Sequence, residues 1–163
     1  MEGFWADIID DHTGPPLTDA MVRAAEKTLG FKLPKAYIQL LEIRNGGYPR
    51  NFCYPTSSPT SWAPDHIQIS TLFGIGYSRG IEASRKIISV WGYPPIGIVI
   101  ADTPSGCHDA VMLDYTLCGP TGEPQVVLVE PREVSSQVTQ LALNFVGFIS
   151  GLVDASQFKT DDS

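Results

Sequence analysis

The stretch from Ile96 to Tyr115, IGIVIADTPSGCHDAVMLDY, decides the fold. Apolar runs at 96–101 and 109–115 flank Thr103-Pro104-Ser105-Gly106-Cys107, a segment of turn formers. Proline pre-sets φ and glycine accepts positive φ, so such a segment reverses the chain between two strands. A five-residue loop would set the register, with Asp102 facing His108, Ile100 facing Ala110 and Ile98 facing Met112. Asp109 would then point to the opposite face with Val111 and Leu113, because side chains alternate along a strand. Of the hairpin's polar groups, only Asp102 and His108 could meet. Two ligands fall short of the roughly four that a structural metal site uses, so no metal is expected. Cys107 and His108 are neighbours that point apart on a strand and form no catalytic dyad.

Working outward, Gln125 to Glu130 reads as a third strand of an antiparallel meander, and HIQISTLF at 66–73 alternates well enough for another. Towards the N-terminus, Thr18 or Asp19 can cap a helix carrying Met21, Ala24, Ala25 and Leu29, which Gly30 ends. Pro34 suits the first turn of a second helix that buries Tyr37, Ile38, Leu40 and Leu41. Asn45-Gly46-Gly47 stops it, since both residue types tolerate a left-handed backbone. Phe4, Trp5, Ile8 and Ile9 recur at helical spacing and predict a short amphipathic helix ahead of the break at 13–16. Residues 48–65 hold four prolines and read as a long surface loop. Ser78 could cap a helix carrying Ile81, Arg85, Ile88 and Trp91. A closing helix is expected over roughly 136–152, followed by an acidic tail from Asp154 that frays. Helices, a meander of about four strands and a closing helix make a single α+β domain over 1–153, with 1–16 as an N-terminal extension.

The chain has 163 residues, enough for one core without staples, and its 43% apolar and 18% charged content is that of an ordinary soluble protein. No apolar run is long enough to span a bilayer. The three cysteines form no C-x-x-C pair, which predicts a reduced, cytoplasmic setting. The net charge of −7 is unevenly spread: residues 1–20 carry five acids and no base. Residues 87–131 do the same, with Asp102, Asp109, Asp114, Glu123 and Glu130. Phosphate contacts need Lys and Arg, so nucleic acid is a poor partner for such a chain. A basic protein is a plausible one, because opposite charge raises the encounter rate.

Motifs for catalysis are sparse. Gly74, Gly76 and Gly80 in FGIGYSRG give G-x-G-x-x-x-G, one residue too long for a dinucleotide fingerprint. A Walker loop, a G-x-S-x-G elbow and an H-E-x-x-H helix do not occur. The histidines are scattered singly. Trp62, in the Pro-rich loop, is either buried beneath it or waiting for a partner.

Three stretches together resemble the SUKH superfamily, which includes fungal cell-wall-assembly regulators and bacterial toxin-immunity proteins. The first is LTDAMVRAAEKTLGFKLPKAYIQLLEIRNGG, with Glu26, Gly30, Pro34, Tyr37, Asn45, Gly46 and Gly47 in the family's order. The second is the opening hairpin with Gly106 in its turn, and the third is LALNFVGFISGL. The resemblance covers roughly 17–153 and implies an α+β fold without catalytic residues or cofactor. It implies an interaction module, such as an immunity protein that neutralises a polymorphic toxin, often a nuclease; the acidic charge adds that the toxin domain would be basic. The acids expected to contact that partner are Asp102, Asp109, Asp114, Glu123 and Glu130, with Trp62 or Tyr115 as an apolar anchor. The alternatives are a small enzyme or ligand binder using the Gly74–Gly80 turn or the Asp102–His108 pair, and a regulatory scaffold.

Overall fold

Local capping chemistry sets the first two helices. The computed structural model describes residues 2–106 and 108–158. In α1 (Asp19–Leu29), the Thr18 side chain accepts a hydrogen bond from the Met21 amide, and Gly30 closes the helix at φ +78°. Helix α2 (Lys35–Ile43) starts directly after Pro34 and ends at the extended residue Arg44. Gly46 and Gly47 follow at φ +92° and +136°. A Cβ on Gly46 would lie 2.7 Å from the Gly74 amide nitrogen and closer still to the Tyr77 hydroxyl, so only glycine fits this crossing.

The sheet is an antiparallel meander of β3 (Gly97–Asp102), β4 (Ala110–Asp114), β5 (Gln125–Glu130) and β6 (Gln137–Ala142), in that order. A separate hairpin pairs β1 (Cys53–Pro55) with β2 (His66–Gln68). Residues 70–73 run along the free side of β3, where the Ser70 amide donates to Asp102 O and the Phe73 amide to Ile100 O. Helix α3 (Ser84–Trp91) packs along β3, and α4 (Phe145–Gly151) packs against β5 and β6. Strands β3 to β5 are therefore covered on both faces, with Ile98, Val111, Met112, Val127 and Leu128 essentially inaccessible. Tyr37, Phe145 and Phe148 fill the space between α2, α4 and the sheet, Tyr37 and Phe145 meeting edge to face at 5.2 Å.

The hairpin forms, but in a different register. Asp102 lies opposite Ala110, Val99 opposite Met112 and Ile98 opposite Leu113, with an irregularity between Val99 and Ala101. The turn thus takes in 103–109 rather than five residues, and Asp102 does not face His108. Cys107 falls outside the described residues. The second strand at 66–73 is shorter than its alternation suggests, because 70–73 leave β2 to bridge to β3.

Two helix expectations fail, and a third helix forms without its expected cap, for distinct reasons. Residues 4–6 are extended, held where the Arg50 amide donates to Phe4 O and the Ala6 amide to Tyr48 O. Trp5 is buried there, while Ile8 and Ile9 stay exposed. The run 136–152 splits into β6 and α4, since Gln137–Ala142 pairs with β5 and the Asn144 side chain caps a new helix by accepting from the Gly147 amide. Ser78 caps nothing: a 3-10 turn at Ile81–Ala83 leads into α3 at Ser84. Beyond Asp154, the described residues are not a free tail, because Ala155–Phe158 forms a 3-10 turn and the Phe158 ring stacks on His66 at 4.0 Å.

Candidate protein-binding surface

Four of the seven residues expected at a partner surface lie in the interior: Asp109, Asp114, Glu130 and Tyr115 are 1–6% exposed. The Asp109 carboxylate accepts from Ser61 Oγ at 2.9 Å, Trp62 Nε1 at 3.1 Å and Ser105 Oγ at 3.0 Å. Glu130 Oε2 accepts from the Ser61 amide at 2.7 Å. These two carboxylates pin the Pro-rich segment onto the sheet, which is why they are buried: a buried charge persists where donors converge on it. Trp62 remains 39% exposed, with its indole N–H committed to Asp109. Tyr115 donates to Lys32 O and stacks on Phe31 at 4.4 Å.

Asp114 accepts from the Thr116 amide and hydroxyl and from Gln125 Nε2. Burial pushes its carboxyl up, but the bonds from Thr116 and Gln125 more than offset this and hold it below the usual value. A carboxylate depressed in the folded state stabilises the fold above its unfolded pKa, and that stability is lost as pH falls through the folded value. Asp114→Asn is therefore expected to flatten the loss of stability below about pH 4. Urea titrations at pH 7, 4 and 3 check this, and parallel curves for both proteins would contradict it.

The polar residues of the alternative sites are occupied locally. Asp102 Oδ1 accepts from the Thr71 amide and hydroxyl at 2.9 and 2.7 Å, while His108 is exposed with its ring edge towards Trp91. In the glycine-rich turn, the amides of Gly74, Ile75 and Gly76 donate to Tyr77 Oη, Asn45 Oδ1 and Glu82 Oε1. Gly80 and Ile81 donate to backbone carbonyls of the same turn. A phosphate cradle needs such amides free, so this one is a structural turn. Burial also pushes the Cys53 thiol up, away from nucleophilic duty.

The family-motif residues are structural. The Glu26 carboxylate accepts from the Leu33 amide, the Tyr37 hydroxyl donates to Phe73 O, and Gly106 turns the hairpin at φ +74°.

A different acidic group is at the surface. Asp7, Asp10 and Asp11 have side-chain exposures of 92%, 39% and 69%. Asp10 accepts from the His12 amide and from the Tyr48 hydroxyl at 2.9 Å. The Tyr48 phenol is held above its usual value by that bond to Asp10, then by burial and by the charges of Asp10, Asp11 and Asp102. Tyr48 Oη also lies 3.0 Å from the His12 ring. Arg50 lies 3.6 Å from Asp7, Arg79 lies 2.9 Å from Asp11, and the His12 ring lies 2.9 Å from Asp10. Beside Tyr48 opens a groove of about 360 Å³, walled by Ala6 and Ile8 of the N-terminal arm and by Pro49, Phe52 and Ile69. The acids of residues 1–20 are plain in the sequence, but the helical spacing of Phe4, Trp5, Ile8 and Ile9 conceals the extended arm whose Ala6 and Ile8 wall this groove. Glu123 is exposed, away in the segment leading into β5.

The SMI1 / KNR4 family (SUKH-1) model matches residues 16–151. The chain belongs to the SMI1 / KNR4 family (SUKH-1). No curated protein and no solved structure matches it. The SUKH-1 match takes in α1 through α4 almost whole, so the shared part is the scaffold. The acidic arm before Pro16 lies outside it, although the arm is docked on the scaffold through Trp5, Ala6 and Phe4. No helix among the described residues is long and apolar enough to cross a membrane.

Proposed function

We propose that this SUKH-1 chain is a non-catalytic protein-binding module that neutralises a basic toxin domain, as the immunity proteins of the superfamily do. The observation that carries this reading is the placement of charge. The buried acids serve the fold, whereas Asp7, Asp10 and Asp11 of the N-terminal arm are at the surface. A nuclease or similar toxin holds its polyanionic substrate with Lys and Arg, and an acidic surface competes for the same residues. Membership of the SUKH-1 family supports the reading, since the superfamily includes immunity proteins.

The test is capture and protection. The purified chain, used as bait in a lysate of its own organism, is expected to retain a basic protein at low salt and release it at high salt. Co-expression of the chain should then rescue cells from the captured protein's toxicity. A captured protein whose toxicity is unchanged by the chain would refute the immunity role, and so would capture of nothing by the folded chain.

A further inference from the structure

We infer that the groove beside Tyr48 binds a small amphipathic acid, an apolar body carrying one carboxylate that pairs with Arg50. The inference goes beyond the protein-binding reading and does not depend on it. Most of the lining is apolar: Ile8 of the arm, Pro49 and Phe52, Ile69, and Pro104 of the hairpin turn. Removing an apolar body from water is the main gain that such walls offer. The space, about 360 Å³, is of the size that small ligands occupy. Four separate segments of chain bound it, which suits a compact molecule better than an extended peptide laid along one sheet edge.

The polar part of the lining selects the acid. Arg50 is the one charged residue among the described residues that line the groove. Its Nη2 is in use, donating to Trp5 O at 3.3 Å and lying 3.6 Å from Asp7. Its Nε and Nη1 have no hydrogen-bond partner among the described residues. The Asp7 carboxylate is 92% exposed, so solvent screens that pair and an incoming acid can exchange for it at little cost. The side chains of Gln68 and Ser70 are half-buried in the same lining, and neither bonds to a described residue. A guanidinium and two uncommitted neutral donors within an apolar groove match a single carboxylate. A cationic ligand finds no carboxylate in this lining to receive it. Ala6 and Ile8 precede the family match, so one wall of the site lies outside the shared scaffold.

The test titrates octanoate and phenylacetate into the isotope-labelled full-length chain and follows its backbone amide resonances. Each acid is run beside its neutral amide, octanamide or phenylacetamide, and octanoate also beside octylamine. Saturable shifts are expected at Ile8, Arg50, Gln68 and Ser70, with a Kd on the order of 1 mM or below for at least one acid. The matching amide should bind roughly tenfold more weakly, and octylamine should leave these resonances in place. Arg50→Gln should weaken the acid roughly tenfold, to the level of its amide, and Arg50→Lys should restore part of the loss. Arg50 also holds Trp5, so Ile8→Asp serves as a second probe that keeps the guanidinium and should cost roughly tenfold as well. Arg23→Gln, exposed on α1, makes the same change of charge as Arg50→Gln and should leave affinity unchanged. Acid and amide binding equally well would overturn the proposal. So would shifts that fail to saturate, that map elsewhere on the surface, or that survive both Arg50→Gln and Ile8→Asp. Acid binding by a chain that protects against no toxin would sink the immunity role and keep the site, and a protective chain that binds neither acid would do the reverse.

Discussion

Replacing Asp109 by alanine is expected to cost about 3 kcal/mol of stability and to lower Tm by roughly 6–12 °C. The substitution removes the one acceptor on which Ser61 Oγ, Trp62 Nε1 and Ser105 Oγ converge. Each buried donor left unpaired costs about 1–3 kcal/mol, but Ser61 and Trp62 lie near enough to solvent to regain water, so the three do not sum in full. Asp109→Asn keeps one acceptor and should recover about half of the loss, since the charge-assisted part of the bonding goes while a neutral bond remains. Freeing the segment also has a kinetic signature. Chymotrypsin should cut after Trp62 markedly faster in Asp109→Ala than in the parent at a temperature where both are folded. Equal melts and equal cleavage would mean that the segment is held by something other than this carboxylate. Charge reversal at Asp109 is consequently unsuited to probing a partner surface, because a fall in binding would report a loosened fold.

Asp109 also shows where sequence reading stops. A carboxylate is assigned to the surface because burying an unpaired charge is expensive. The exception needs donors, and here they come from Ser61 and Trp62, separated from Asp109 by 48 and 47 positions. No local pattern announces that meeting. What was legible is what local chemistry decides: α1 between Thr18 and Gly30, α2 after Pro34, and the apolar strands at 97–102, 110–114 and 125–130. Family membership was legible for the same reason, as its motif residues are those caps and turns. The failures came where one pattern fits two structures. Val138, Leu141 and Ala142 suit a helix face or an edge strand, and pairing with β5 decided the matter. Phe4, Trp5, Ile8 and Ile9 suit a helix, yet backbone bonds to Tyr48 and Arg50 hold the arm extended. The groove was invisible because it depends on that arm.

The larger effect is expected at Asn45, where sequence pointed to a helix stop and the structure adds a side-chain role. Asn45 is 2% exposed; its Nδ2 donates to Pro15 O and Ile75 O, and its Oδ1 accepts from the Ile75 amide, all at 2.8 Å. One side chain thus ties the end of α2 to the break before α1 and to the glycine-rich turn. Asn45→Ala leaves three backbone groups unpaired in the interior and is expected to cost about 3–5 kcal/mol, a fall in Tm of roughly 10 °C or more. Asn45→Asp is expected to be worse at pH 7, because a carboxylate then faces the Pro15 and Ile75 carbonyls where an amide had donated. Its folded-state pKa would be raised above the unfolded value of about 3.9. An acid raised in the folded state binds more protons there, so stability falls as pH rises through the interval between the two values. The gap between Asn45→Asp and Asn45→Ala should accordingly narrow as pH is lowered from 7 towards 4. Urea unfolding of both variants across that range decides the matter: a gap that does not change with pH would mean the substituted carboxylate has swung out to solvent. In that case the turn at Gly74–Gly80 is held by its backbone bonds, and the asparagine serves only to end the helix.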